Sequence, residues 1–123
     1  MSLRKLNLAQ SFIWSNMFKL INISGDELRL DDKSVSQMVS QACARAGVYV
    51  EGIAARNDAV TLVCSDNFSN TEAVYRFTAL GSNVSDEEIF SELRCRYDNS
   101  FRTVGAFALA DGYWTLTEKT LTE

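Results

Sequence analysis

Five stretches of the chain carry residues of types that could do chemistry. "CSD", residues 64 to 66, sets a thiol, a hydroxyl and a carboxylate in succession. A catalytic thiol needs a neighbouring base or cation to hold it as thiolate. The chain has no histidine, so that help would have to come from Lys, Arg or a helix terminus, and the apolar setting of Cys64 favours a buried, inert thiol. Carboxylates gather at Asp31-Asp32 and from Asp86 to Glu88. Acid pairs can cleave a glycosidic bond from two sides of a cleft. Both groups, however, sit where a helix starts, and negative charge there answers the helix dipole.

"DNFSNTE", residues 66 to 72, offers oxygen ligands at Asp66, Asn67, Asn70 and Glu72. It lacks the alternating acids and central glycine of a calcium loop and reads as a polar loop. "GAFALADG", residues 105 to 112, spaces its glycines seven apart inside a hairpin. It therefore cannot gather amides at a helix N-terminus as a phosphate loop does. The missing histidine also removes the usual base near neutral pH and the commonest metal ligand. These residues predict no catalytic group, no metal and no cofactor, and a non-enzymatic role is the expectation.

The elements that hold these residues are clearer. "VSDEEIFSELRCRYDN" opens with a capping box at Ser85 and Glu88, and Ile89, Phe90, Leu93 and Tyr97 recur at helical spacing. Arg94 and Arg96, with Arg102 nearby, place cations at the C-terminal end of that helix. "KSVSQMVSQACARAG" predicts an earlier helix with Val35, Met38, Val39, Ala42, Cys43 and Ala46 on its apolar stripe. Gly47 stops it, and either Asp31 or Ser34 caps its start.

Between the helices, "VYVEGIAARNDAVTLVC" turns at Asn57-Asp58, a pair that tolerates positive φ. A two-residue loop there pairs Ala55 with Val60, Ile53 with Leu62 and Glu51 with Cys64. "EAVYRFTAL" alternates as a third strand. In "FRTVGAFALADGYWTLTEKT", a turn at Asp111-Gly112 pairs Leu109 with Trp114 and Phe107 with Leu116 on a bulky, core-like face. The other face carries Ala106, Ala108, Tyr113, Thr115 and Thr117, small and half polar; either a helix covers it or it is the expected interaction face for a partner chain. In the N-terminal third, residues 7 to 16 suggest a helix, "KLINI" its continuation or a strand, and "ELRL" a short strand or extended turn.

Length and composition set the frame for these elements. The 123 residues suit one domain, residues 1–123, with residues 1–30 as an N-terminal extension and residues 31–119 as an α+β core. Its sheet is mostly antiparallel, of five or six strands, with two main helices. A formal charge of −4 opposes nucleic-acid binding, which rests on neutralising phosphates. No apolar run reaches the ~18 residues that span a bilayer. Polar residues interrupt the N-terminal apolar segment, so no leader is expected and the protein reads as cytoplasmic. Cys43, Cys64 and Cys95 are odd in number, widely spaced and set in apolar patterns. They predict three reduced, largely buried thiols.

Shifting the chain by 54 residues lays Val35, Val39 and Cys43 on Ile89, Leu93 and Tyr97, and the turn at Asn57-Asp58 on Asp111-Gly112. The pattern suggests a pseudo-duplicated β-α-β-β unit. The same elements, over roughly residues 34 to 119, resemble the type III secretion chaperones and the related YbjN-like proteins. "FTALG" at residues 77 to 81 is similar to the end of that fold's third strand, "SDEEIFSELRCRYDNS" to its dimer helix, and "AFALADGYWTL" to its final hairpin. The resemblance implies a chaperone-like adaptor that binds a protein partner and forms a homodimer. The alternative is a small-molecule binder or small enzyme with a pocket between sheet and helices.

Overall fold

A computed structural model describes residues 12–14, 19–67 and 71–121. The fold is α+β, and its antiparallel strands form two sheets. Strands β1 (Phe12–Trp14), β2 (Lys19–Ser24), β3 (Val48–Arg56) and β4 (Ala59–Asp66) form one sheet in the order β1-β2-β4-β3. Strands β5 (Glu72–Gly81), β6 (Arg102–Leu109) and β7 (Gly112–Leu121) form the other in the order β5-β7-β6. Helices α1 (Gly25–Leu30) and α2 (Asp32–Ala46) precede the first hairpin, and α3 (Asp86–Asp98) precedes the second. No helix among the described residues is long and apolar enough to cross a membrane.

The two halves repeat one connectivity. In each, a strand leads through helix to a hairpin whose second strand inserts between the other two, giving β2-β4-β3 and β5-β7-β6. The expected β-α-β-β duplication is therefore present as topology.

Local chemistry sets the ends of the elements. Ser24 caps α1 with a full capping box to Glu27, so "ELRL" is helical and not a strand or extended turn. "KLINIS" is strand β2. Phe12–Trp14 pair with β2 as a strand instead of joining a helix; the rest of the helix expected over residues 7 to 16 lies outside the described residues. Asp31, not Ser34, caps α2, and its carboxylate accepts from the Ser34 amide and hydroxyl. Those bonds hold its pKa below the usual carboxylate value. Gly47 ends α2 at φ +68°.

The first hairpin turns at Asn57 and Asp58, with φ of 53° and 57°. Ala55↔Val60 and Ile53↔Leu62 pair as expected, but a bulge at Glu51 brings Val50, not Glu51, opposite Cys64. The second hairpin turns one residue earlier than expected. Leu109 pairs with Gly112 and Phe107 with Trp114, so the loop is Ala110-Asp111. Neither loop residue has positive φ; that demand falls on Gly112 at φ +131°. The pairing moves by two positions, which leaves every side chain on its expected face.

The inward faces of both sheets meet in one buried cluster. Ile21, Ile23, Val50, Val60, Leu62 and Cys64 contribute from the first sheet, and Tyr75, Phe77, Phe107, Trp114 and Leu116 from the second. Phe77 and Phe107 meet edge to face at 6.3 Å. Helix α2 closes the cluster with Val35, Val39 and Cys43. It also blunts the edge of β5: the Ser36 hydroxyl accepts from the Phe77 amide at 2.9 Å and the Ser40 hydroxyl from the Tyr75 amide at 2.8 Å. Open edge amides invite other strands, and here two serines one helical turn apart occupy them.

Candidate binding surface

The outward face of the second sheet carries the residues expected to meet a partner, and the structure divides them. Ala106, Ala108 and Tyr113 are exposed, Tyr113 at 42%. Thr115 and Thr117 are fully buried. Helix α3 divides them. It reaches β5 through Arg96, whose guanidinium donates to Thr78 Oγ1 at 3.4 Å. It reaches β6 beside Thr103. Strand β7 lies between β5 and β6, so α3 crosses over Thr115 and Thr117. The last two are thus the helix's seat and not part of a bare face.

The seat is loosely filled. Helix α3 has no buried residue. Beneath it Thr115 Oγ1 is buried without a hydrogen-bond partner among the described residues, a costly state for a hydroxyl. Ile89, Leu93 and Arg96 turn toward the sheet and are half-buried. Phe90 and Tyr97, two turns apart, are 72% and 74% exposed. With Leu93, Arg94 and Thr103 they line a shallow groove of about 580 Å³ on the β6 side of the helix. A soluble helix that satisfies its core turns such residues inward, and this one leaves them out.

The other chemical candidates resolve into structure. The Cys64 thiol is buried beside Cys43; the neighbouring thiol and desolvation push Cys43 well above the usual thiol range. Ser65 donates to Glu51, and Asp66 pairs with Lys19 at 3.2 Å, so the three side chains of "CSD" do not converge. Cys95 is exposed, which corrects the expectation of three buried thiols; its helix lies outside the core. Asp86 to Glu88 serve the start of α3, where Ser85 and Glu88 form the expected capping box. In "DNFSNTE", the Asn67 side-chain amide donates to the Thr71 carbonyl at 3.0 Å; Asn70 lies outside the described residues. No group of three or more Cys, Asp or Glu among the described residues could hold a metal.

Two polar assemblies have no counterpart in the sequence reading. Arg29 of α1 ties the hairpin tips together, pairing with Asp58 at 2.6 Å and Asp111 at 3.0 Å as well as Asp26 at 2.7 Å. Asp58 also accepts from the Ala110 amide, and Asp111 from the Trp114 indole. Arg29 first, then the Ala110 amide, hold the Asp58 carboxyl down at about 2. The second assembly bridges the sheets inside the core. The Tyr75 hydroxyl accepts from the Val50 amide at 2.7 Å and donates to Glu118 Oε2 at 2.6 Å, while Arg102 Nε donates to Glu118 Oε1 at 2.7 Å. Desolvation first, then the Glu118 carboxylate, push the Tyr75 phenol far above its ordinary range. The hydroxyl is engaged as both acceptor and donor, so it marks a latch and not a reactive site. Comparison with family models, with curated proteins and with solved structures returns no match, so the surface is read from its own geometry.

Proposed function

We propose that the protein is a non-enzymatic protein-binding module, an adaptor or chaperone-like subunit, that works through helix α3 and the neighbouring open part of the second sheet. The observation that carries this is the exposure of Phe90 and Tyr97 at helical spacing on an element with no buried residue. Aromatic residues are the side chains that anchor protein interfaces. Tyr113, Ala106 and Ala108 extend the sheet face beyond the helix with small residues that let a partner approach closely.

Two-fold pairing through this surface makes a homodimer, the simplest closed use of a self-complementary apolar stripe. Light scattering coupled to size exclusion tests it. The wild-type chain is expected as a dimer at tens of micromolar, and the Phe90→Ser/Tyr97→Ser variant as a folded monomer. A wild-type protein that is strictly monomeric at those concentrations removes the homodimer and leaves only a heterologous partner.

A further inference from the structure

A second groove, of about 480 Å³, runs on the opposite flank of α3, between α2 and β5. It is a partly open groove and not an enclosed cavity. Its lining is cationic in a chain whose net charge is −4. Lys33 stands on α2, Arg76 projects from the outward face of β5, and Arg96 borders it from α3, against one acid, Asp32, among the described lining residues. Lys33 and Arg76 are exposed and form no ion pair among the described residues. The Arg96 guanidinium keeps one face to Glu92 at 2.8 Å. A fourth cation, Lys119, lies over the ring of Phe101, which supplies apolar lining together with Val74. Along the α2 wall, Gln37 and Gln41 stand one turn apart, and their amides can both donate and accept.

We infer that this trench binds an acidic peptide segment that carries an apolar side chain. Carboxylates of the segment would pair with Lys33 and the Arg76 fork. Its apolar side chain would cover Val74 and Phe101, and its backbone would meet Gln37 and Gln41. Charge complementarity commits the site to an anion; the partly open groove and the two glutamines favour a chain over a compact ion. The surface used here is separate from the Phe90–Tyr97 stripe, so either can fail without the other.

The test is fluorescence anisotropy of a labelled dodecapeptide of glutamates with one central Phe, with the same peptide built on lysine as control. The glutamate peptide is expected to bind saturably in the range of about 10–100 μM and to weaken about tenfold between low and high salt. The lysine peptide is expected not to bind. Lys33→Glu/Arg76→Glu should weaken binding about tenfold or more, with far-UV circular dichroism confirming the fold. The milder pair Lys33→Gln/Arg76→Gln serves if the first does not fold. Phe90→Ser should bind as the wild type does. The proposal is overturned by absence of saturable binding up to about 1 mM, by equal binding in the Lys33/Arg76 variants, or by a loss confined to Phe90→Ser. Displacement by inorganic phosphate at constant ionic strength would assign the trench to a small anion and overturn it equally.

Discussion

Replacing Tyr75 by Phe removes one oxygen from the centre of the molecule and should unlatch the two sheets. Tyr75 is 2% exposed and Glu118 is 5% exposed, so water does not replace what is lost. The Val50 amide, which donates to that oxygen at 2.7 Å, is left without a partner. A buried donor abandoned in this way costs about 1–3 kcal/mol. Glu118 loses the donor on Oε2 and keeps only Arg102, whose side chain is 59% exposed and screened by solvent. A hydrogen bond to a charged group contributes about 1.5–3 kcal/mol, and the two losses overlap because they share one atom. The expected destabilisation is about 3 kcal/mol, a fall of roughly 1.5–2 M in the urea midpoint at an m-value of about 1.5–2 kcal/mol/M. Fluorescence of the buried Trp114 reports the transition. A double-mutant cycle with Glu118→Gln should show coupling of about 1 kcal/mol or more. A loss below about 0.5 kcal/mol, or strict additivity in the cycle, would refute the latch.

Asp58→Asn keeps the acceptor for the Ala110 amide and removes the charge that faces Arg29. Because the folded-state pKa of Asp58 is lowered from 3.8 to about 2, its contribution is present above the unfolded value and disappears as pH falls through about 2. The gap in urea midpoint between wild type and Asp58→Asn should therefore be full at pH 7 and close between pH 4 and 2; a gap that ignores pH would contradict the clamp. At Gly105 an added Cβ would lie 2.5 Å from Ile53 Cγ2, where β6 meets the first sheet. Gly105→Ala should cost about 1–3 kcal/mol, and Ile53→Ala in the same chain should return part of it; a harmless Gly105→Ala would show that the sheets do not approach so closely. Alkylation of the native protein by iodoacetamide should label Cys95 alone, with Cys43 and Cys64 reacting only after unfolding. Equal labelling of all three, followed by mass spectrometry, would deny their burial.

Features set by neighbouring residues could be read before the structure. Asn57-Asp58 announced its turn because both residues tolerate the left-handed region, and Ser85 with Glu88 announced a helix start. The same signal, Ser24 with Glu27, was available for α1 and was obscured by the short apolar alternation of "ELRL". The bulge at Glu51 left only Gly52 as a mark inside the strand, because no residue there takes a positive φ. Contacts between distant positions were illegible. Arg29 reaches Asp58 and Asp111 across 29 and 82 residues, and Tyr75 reaches Glu118 across 43. The sequence also placed Phe90, Leu93 and Tyr97 on one face of a helix, without showing that the face would turn partly away from the core. That depends on how much of the second sheet the loop after β5 lets α3 cover. The division of the expected interaction face between exposed Ala106, Ala108 and Tyr113 and buried Thr115 and Thr117 follows from the same geometry.

Site-specific photo-crosslinking in the native host tests the proposed surface most directly. A benzophenone side chain at Tyr97 or Tyr113 is expected to give a discrete protein adduct, whether with a second copy or another chain. The same group at Arg45, exposed at the far end of α2, is expected to give none. Adducts from Arg45 with none from Tyr97 and Tyr113 would contradict the assignment of α3 and the second sheet as the binding surface.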